Sequence, residues 1–353
     1  MLRFLEARGA TDIRSLWAVN AVVATVPSDL LPELGALPGV ERVEEDRMYR
    51  VAATADASPT PTAAEDNLVA IRAPDLWALG IDGAGVVVAT LDSGADLGHP
   101  DLHDRWRGGA NSWFDPVGEH PDGPVDVVTP QHQRVVEAGH GTQVLGLMVG
   151  GGASGTKIGV APGARWIAVR IFDDAGETRL SVIHRGFEWL LDPDGNPETD
   201  DTPDVVNLSW GFEDGACRPE FKTDIALLRA LGVSVVGAAG NQGSPAGGVS
   251  PANYDTVFAV GSARREGGHW QADFASARGP SACAGGELGG AFPDLLAPGV
   301  GVRTADLFLG GASASPYVTV TGTSFAAPQA AGAIALLRQA FPRASLDAIE
   351  TGL

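Results

Sequence analysis

Two kinds of segment alternate along most of this chain. One kind is short, β-branched and apolar on both sides, which is typical of strands in a parallel sheet covered on both faces: GVVVATLD, RWIAVRIF, DVVNLSW, VSVVGAAG and VFAVGSA. Helix-length stretches such as TQVLGLMVG, RLSVIHRGFEWLL and TDIALLRAL lie between them. From Asn67 onward, the pattern predicts an α/β fold: a doubly wound, mostly parallel sheet with helices on both faces. Ligands are expected at the carboxyl ends of its strands.

The first 51 residues predict a separate, small α+β unit. LRFLEARGA is typical of a helix, SLWAVNAVVATV of a strand, and SDLLPELGALPG of a short helix capped by Ser28 or Asp29. VERVEEDRMYRV alternates apolar and polar residues and predicts another strand. Residues 52–66 are mostly small, with Pro and Thr, and predict an exposed, cleavable linker. The main domain then spans residues 67–353.

Composition and charge exclude several classes of partner. The chain has 353 residues, with 24 Lys+Arg against 44 Asp+Glu, and the resulting charge of −20 argues against nucleic acid or anionic lipid. No apolar run reaches the roughly 18–20 residues of a membrane span, so no span is expected. MLRFLEARGATD lacks a basic stretch followed by an apolar core, so it is not a signal peptide. Either the protein stays inside the cell, or its true N-terminus lies upstream.

Three strings at predicted strand ends or helix starts carry candidate chemistry. LDSGADLGHPDL (91–102) puts Asp92 at a strand end, and GHGTQVLGLMVG (139–150) puts His140 between two glycines. GTSFAAPQAAG (322–332) puts Ser324 at a helix N-terminus, where backbone N–H groups favour negative charge. Acyl transfer requires such a hydroxyl, an imidazole base and a carboxylate that orients the imidazole. Each residue alone is common as a cap or turn, but the order Asp, His, Ser is far more specific.

DSG, HGT and GTSFAAP resemble the three catalytic signatures of the subtilase family of serine peptidases, and the resemblance covers about residues 67–345. It implies an endopeptidase in which Asp92 orients the base His140 and Ser324 is the nucleophile. VVGAAGNQG (235–243) resembles the family's oxyanion-hole loop, which makes Asn241 a donor beside the backbone N–H of Ser324. The resemblance further implies a protein or peptide substrate, no cofactor for catalysis, a monomer and an extracellular location.

NLSWG (207–211) resembles the family's strand that pairs with the substrate backbone. The resemblance implies a P1 pocket whose depth is set by a loop near Val249. Walls of alanine and glycine leave room for a medium or large apolar P1 side chain, whereas a valine in that loop would favour smaller P1 side chains, so the P1 preference stays open. The two implied walls of the pocket are Ser209, Trp210 and Gly211 on one side, and Ala238, Ala239 and Gly240 on the other.

Residues 1–51 resemble the later part of a subtilase propeptide, a chaperone and inhibitor whose end lies in the substrate cleft. The alternative is an unrelated N-terminal α/β module. The resemblance implies that maturation cleaves the chain between Arg50 and Ala64. The family's first propeptide strand would precede LRFLEARGA, so we expect the chain to be part of a longer precursor.

WLLDPDGNPETDDTPDVVNLSWG and ARGPSACAGGELGGAFPDLLAPG resemble the bacillopeptidase F-type subgroup of subtilases, which implies a disulfide between Cys217 and Cys283. The residues alone leave open two small buried hydrophobes instead. Asp101 matches a structural calcium ligand of relatives and is a weak calcium candidate, because Ala153 stands about where an amide oxygen is wanted. DPDGNPETDD (192–201) predicts a solvated insertion, with metal binding as the alternative.

Two further functions stay open at this point. A catalytically silent member would only bind peptides at the NLSWG strand, and casein hydrolysis separates it from a peptidase. A maturation enzyme would pass the acyl group to an amine rather than to water. That reaction needs a feature that excludes water, and no obvious insertion in the sequence supplies one.

Overall fold

A computed structural model describes residues 1–50, 54–57, 65–126, 139–244, 247–283, 291–311, 313 and 315–353. The helices are α1 (Leu2–Ala7), α2 (Leu31–Gly35), α3 (Asp66–Ala70), α4 (Ala73–Ala78), α5 (His140–Val149), α6 (Leu180–Leu191), α7 (Lys222–Ala230), α8 (Thr323–Ala340) and α9 (Leu346–Thr351). The strands are β1 (Thr11–Leu16), β2 (Ala21–Thr25), β3 (Met48–Arg50), β4 (Thr54–Ala57), β5 (Val87–Asp92), β6 (Trp113–Phe114), β7 (Arg165–Arg170), β8 (Glu177–Arg179), β9 (Val205–Leu208), β10 (Ser234–Ala238), β11 (Phe258–Glu266), β12 (His269–Ala272), β13 (Gly279–Pro280), β14 (Ala291–Phe292), β15 (Leu295–Pro298), β16 (Val302–Ala305) and β17 (Tyr317–Thr321).

The central sheet has the strand order β12-β11-β10-β9-β5-β7-β6, and β15 also pairs with β11. Its neighbouring strands run parallel, except that β12 is antiparallel to β11. The five apolar runs of the sequence form β5, β7, β9, β10 and β11. The prediction of a doubly wound, mostly parallel α/β sheet is therefore confirmed.

Each face of the sheet is covered by a buried apolar cluster. Val88 of β5 belongs to the cluster that includes Leu145 of α5 and Ala327 of α8. Ala89, the next residue of β5, belongs to the cluster that includes Phe187 of α6 and Leu228 of α7. Successive strand residues point to opposite faces, so a sheet covered on both faces needs strands that are apolar throughout.

Residues 1–50 fold as a small unit that departs from the sequence predictions in three places. SLWAVNAVVATV, predicted as one strand, contributes to both strands of the antiparallel β1–β2 hairpin, and Asn20 has a positive φ of 50° in the turn. Within the described residues 40–50 of VERVEEDRMYRV, the strand is confined to Met48–Arg50, which pair with the three residues of β8. Residues 28–35 are a 3₁₀ turn followed by α2, and neither Ser28 nor Asp29 forms the predicted side-chain cap.

The predicted linker is described only in part. Residues 52–53 and 58–64 lie outside the described residues, whereas β4 (Thr54–Ala57) pairs antiparallel with β17. Cys217 and Cys283 are joined by a disulfide, with their Cα atoms 4.8 Å apart. Within the described part of the chain, none of the helices has both the length and the apolar character to cross a bilayer.

Candidate active site

The fold brings Asp92, His140 and Ser324 to the carboxyl end of the central sheet. Asp92 is the last residue of β5, His140 the first residue of α5, and Ser324 the second residue of α8. Gly322 precedes α8 with a φ of +149°, a backbone conformation that residues other than glycine rarely adopt. All three candidate side chains are buried, although Ser324 retains 9% exposure at the surface of the cleft.

The imidazole of His140 is fixed by a carboxylate. Its Nδ1 lies 2.7 Å from Oδ1 of Asp92, and both residues are at most 1% exposed. A carboxylate at this distance accepts, so Nδ1 carries the hydrogen and Nε2 is the basic atom of the ring. The ring of Phe325 packs against the imidazole, with their centroids 5.5 Å apart.

The hydroxyl of Ser324 is oriented by the neighbouring strand end. Its Oγ donates to the carbonyl of Ser209 at 3.0 Å, while the Ser209 hydroxyl donates to the carbonyl of Ser324 at 2.7 Å. A rotation about the Cα–Cβ bond of Ser324 would turn its hydroxyl away from that carbonyl. Catalytic hydrogen bonds often have poor alignment before a substrate binds, so this orientation is compatible with a nucleophile.

Asn241 lines the same cleft as Ser324 and is exposed there. Its Oδ1 accepts from the backbone N–H of Thr323 at 2.9 Å and from the Thr323 hydroxyl at 3.1 Å. Since Oδ1 is engaged as an acceptor, the other polar atom of the amide, Nδ2, is left as the donor toward a ligand. The first N–H groups of α8, including that of Ser324, have no partner within the helix.

The cleft has the two walls that the sequence predicts, and Val249 lies between them. A Cβ on Gly211 would lie 2.6 Å from one Val249 methyl carbon, and a Cβ on Gly240 would lie 2.7 Å from the other. The valine methyl groups therefore fill the space between the two glycines. Most of the predicted wall residues line this cleft, namely Ser209, Trp210, Gly211, Ala238 and Gly240, whereas Ala239 is fully buried behind them.

Part of the N-terminal unit lies in this cleft. Strand β3 pairs antiparallel with β8, with Tyr49 opposite Thr178, and the Tyr49 ring lies 4.5 Å from the ring of Phe212 between centroids. Tyr49 also lines the cleft that contains Ser324. The sequence analysis selected neither Tyr49 nor Phe212, because no local pattern distinguishes a cleft-lining aromatic residue from a core residue.

The N-terminal unit also contacts both ends of α6. The Asp46 carboxylate accepts from the backbone N–H of Ser181 at 3.0 Å and from its hydroxyl at 2.6 Å, at the helix N-terminus. Toward the other end of the helix, Glu188 accepts from the backbone N–H of Ala18 at 2.9 Å. Burial raises the pKa of Glu188, and the hydrogen bonds from the backbone of Ala18 and Trp17 act in the opposite direction.

Asp101 does not have the surroundings of a calcium ligand. Its Oδ1 accepts from the backbone N–H of Ala153 at 2.6 Å, and its Oδ2 accepts from the hydroxyl of Tyr317 at 2.7 Å. Arg303 stacks on the Tyr317 ring, 4.3 Å from its centroid, and its guanidinium donates to Glu65 at 3.1 Å. A calcium ion requires six or more oxygen ligands, whereas this carboxylate faces donors and a neighbouring cation. The residues present therefore do not fit the ion.

Two groups of acidic residues lie elsewhere in the described chain. Asp174 and Glu119 accept from the guanidinium of Arg170 at 2.5 and 3.0 Å, so this group already contains a cation. The carboxylates of Asp192, Asp194 and Asp201 belong to the DPDGNPETDD loop and lie within 4.8 Å of one another. Residues 194–200 of that loop are exposed, as expected for a solvated insertion.

Comparisons with known proteins identify the family of the chain. A family model described as the subtilase family matches residues 83–351. Bacillopeptidase F of Bacillus subtilis (strain 168) is 34% identical over 99% of this chain, which spans only 25% of that protein's length. Subtilisin E of the same strain is 33% identical over 96% of the chain and 75% of its own length. The major intracellular serine protease of that strain is 31% identical over 77% of the chain and 74% of its own length.

These matches define the class of the protein as the serine peptidases, which are hydrolases. The chain belongs to the subtilase family, whose members are serine endopeptidases. The family resemblance seen in the sequence is therefore confirmed.

Proposed function

We propose that the chain hydrolyses peptide bonds in proteins through an acyl-enzyme on Ser324, with His140 as the general base and Asp92 as the group that orients it. The observation that carries this proposal is the buried 2.7 Å contact between Asp92 and His140, at the sheet end where α8 presents Ser324. A buried carboxylate holds the imidazole in one tautomer and stabilises the imidazolium that forms during the reaction.

The proposed reaction has two halves. The Ser324 hydroxyl turns from the Ser209 carbonyl toward His140 and attacks the scissile carbonyl as Nε2 takes its proton. The oxyanion of the tetrahedral intermediate is bound by Nδ2 of Asn241 and the backbone N–H of Ser324. His140 then protonates the leaving amine, and a water molecule, activated by His140, hydrolyses the acyl-enzyme. These steps need no cofactor.

We also propose that substrates bind as an extended strand with a small P1 side chain. The Ser209–Gly211 segment and β8 border the cleft, and β8 pairs with an extended segment of this same chain at β3. Main-chain pairing of this kind tolerates many sequences, whereas side-chain pockets discriminate between them. The discriminating pocket is the one that Val249 narrows.

Residues 1–51 are proposed to be a propeptide, part of which occupies the cleft until the chain is cleaved. Tyr49 enters the cleft and β3 occupies the strand-pairing position at β8, so a substrate cannot pair there at the same time. Beyond β3, strand β4 pairs with β17, and Thr54 lies opposite Thr321, three residues before Ser324. These two pairings place described segments of the chain on both sides of the nucleophile.

The bond proposed for self-cleavage is Ala52–Ala53. The bonds midway between β3 and β4 are Val51–Ala52 and Ala52–Ala53, in a segment that lies outside the described residues. Of these two, only Ala52–Ala53 offers a methyl-sized P1 side chain to the pocket at Val249. N-terminal sequencing of the mature enzyme is then expected to start at Ala53, or at a later residue if the linker is trimmed further.

Labelling of Ser324 by a fluorophosphonate tests the proposed catalytic function. The wild-type chain is expected to be labelled and to hydrolyse casein, and Ser324→Ala is expected to lose both properties. A member that only binds peptides would show neither labelling nor casein hydrolysis, whereas labelling without casein hydrolysis would indicate an active peptidase of narrow specificity. Product masses with a defined peptide and an added amine distinguish hydrolysis from acyl transfer to the amine. No labelling of the intact or processed chain would contradict the proposal.

The disulfide between Cys217 and Cys283 supports an extracellular location, because disulfides persist mainly in oxidising compartments. A monomer is proposed because the described cleft is formed by residues of one chain. We propose that the chain needs no calcium at Asp101. The Asp101 carboxylate already accepts from protein donors, and the ion pair between Arg303 and Glu65 lies beside it.

A further inference from the structure

A second buried carboxylate, Asp126, lies beside the Asp92–His140 pair. Asp126 is 2% exposed, and its backbone forms an isolated antiparallel β-bridge with Gly94, two residues after Asp92. The sequence analysis did not select Asp126, which lies in VDVV before the GHG string. Neither the proposed reaction nor substrate binding uses it.

Asp126 connects the two segments that carry Asp92 and His140. Its Oδ1 accepts from the hydroxyl of Ser93, the residue after Asp92, at 2.7 Å. Its Oδ2 accepts from the backbone N–H of Thr142 at 2.8 Å and also from the Thr142 hydroxyl. The Ser93 oxygen in turn accepts from the backbone N–H of Gly141, the residue after His140, at 2.8 Å. One carboxylate thus holds the end of β5 and the start of α5 together.

The backbones at this junction lie so close together that glycine is required. A Cβ on Gly94 would lie 2.0 Å from the carbonyl oxygen of Val125, and a Cβ on Gly141 would lie 2.1 Å from the carbonyl oxygen of Gly94. There is consequently little room for the two segments to shift toward each other. The hydrogen bonds to Asp126 restrain them from moving apart.

The surroundings favour an acceptor at this position. Asp126 lies at the N-terminus of α5, where the helix dipole and the N–H groups of the first turn stabilise a negative charge. Burial raises the pKa of the Asp126 carboxyl, and the hydrogen bonds from Thr142 and Ser93 act in the opposite direction. The site therefore compensates part of the cost of burying a carboxylate with donors from both segments.

We propose that Asp126 is a positioning residue for the proposed hydrolysis: through Ser93 and Thr142 it fixes the Asp92–His140 contact in its reactive geometry. This inference rests on the proposed function, because it assigns Asp126 a role in that reaction. A displacement of about 1 Å between reacting groups can cost about 10²-fold in rate, so a restraint on two triad residues is large enough to measure.

Asp126→Asn is the sharpest variant, because it keeps the shape of the side chain and replaces one acceptor with a donor. Thr142 presents two donors, so the amide oxygen remains on that side and the amide NH₂ faces the hydroxyl of Ser93. Ser93 then loses the acceptor for its own hydrogen. The amide NH₂ can donate to the second lone pair of the Ser93 oxygen, so the link to the end of β5 is reversed and weakened, while the link to α5 is retained.

The test measures kcat and KM for the processed enzyme, with the active fraction determined by fluorophosphonate titration. Asp126→Asn is expected to lower kcat about 10–100-fold while KM changes by less than about threefold, because Asp126 is not among the described residues that line the substrate cleft. The low-field proton NMR signal of the hydrogen between His140 and Asp92 is expected to move upfield as that contact lengthens. This signal is also measurable in the Ser324→Ala background, without any activity.

Asp204→Asn is the matched control, since Asp204 accepts from the backbone N–H of Val87 at 2.8 Å, at the opposite end of β5. It is expected to reduce stability without changing kcat or the low-field signal. If Asp126→Asn does not mature, Ser93→Ala removes the same link and is expected to lower kcat about tenfold. A kcat within about threefold of wild type in both Asp126→Asn and Ser93→Ala, with the signal unmoved, would overturn the proposal. An inactive wild-type chain would instead contradict the proposed function. The low-field NMR signal would still show whether Asp126 positions the Asp92–His140 contact.

Discussion

Widening the P1 pocket at Val249 tests the proposed substrate preference most directly. Its methyl carbons lie 2.6 and 2.7 Å from where Cβ atoms on Gly211 and Gly240 would stand, so they close the gap between the two pocket walls. Val249→Gly removes three side-chain carbons from this gap. At about 0.8 kcal/mol for each CH₂ group that a substrate can then bury, the gain for a large apolar P1 residue is about 2.4 kcal/mol. That gain corresponds to about 60-fold in kcat/KM.

The assay compares two peptides that differ only in having Phe or Ala at P1. Wild type is expected to favour Ala, and Val249→Gly is expected to raise kcat/KM for Phe about 60-fold with little change for Ala. Val249→Thr keeps the branched shape and serves as the control, for which no gain on Phe is expected. Active-site titration corrects for unfolded enzyme, because Val249 is buried. If the Phe-to-Ala ratio changes less than about threefold, or changes equally in Val249→Thr, Val249 does not set the preference.

Three further outcomes are expected. Asn241→Ala and Asn241→Asp are both expected to lower kcat by about 10²–10³-fold with little change in KM, because both remove the amide donor. Asn241→Asp retains the oxygen that accepts from Thr323. Near-normal kcat in Asn241→Asp would therefore show that the contact with Thr323, and not the amide donor, is what the reaction needs. In urea titrations on the Ser324→Ala background, Arg303→Met is expected to reduce the free energy of unfolding by about 3–5 kcal/mol, because it leaves Glu65 without its cation. A chelator is expected to leave the urea midpoint of the Ser324→Ala chain unchanged. If the chelator lowers that midpoint and calcium bound at this site restores it, the proposed role of the ion pair is contradicted. Purified Ser324→Ala is expected to keep its full mass, whereas wild type loses the segment before Ala53; cleavage of the variant on its own would exclude self-processing.

The main domain was predictable because its constraints are local and repeated. Strands buried on both faces have to be apolar throughout. The candidate strings lie around Asp92 at the end of β5 and around His140 and Ser324 at the starts of α5 and α8. These strings predict that the candidate residues lie together near the carboxyl ends of the sheet strands. The prediction rested on the order Asp, His, Ser and on the resemblance of the strings to the subtilase signatures, together with the rule that ligands lie at the carboxyl ends of parallel strands.

The N-terminal unit was less predictable because its structure depends on partners distant in the chain. The alternation in VERVEEDRMYRV indicates a strand over its whole length, but β8 can pair only with Met48–Arg50. The calcium prediction at Asp101 was limited in the same way. The residues that surround this carboxylate include Tyr317, more than 200 positions away in the sequence, and no spacing rule connects them.

The ion pair between Glu65 and Arg303 sets a boundary for proteolytic shortening of the chain. Glu65 lies near the end of the predicted linker, and its carboxylate also accepts from Thr156, so it joins the segment that enters the main domain to two distant segments. Aminopeptidase trimming past Ala57 would remove β4, the strand that pairs with β17. Trimming that also removed Glu65 would leave the Arg303 guanidinium buried without its counter-charge. A trimmed enzyme that keeps this ion pair consequently has Glu65 or an earlier residue at its amino terminus.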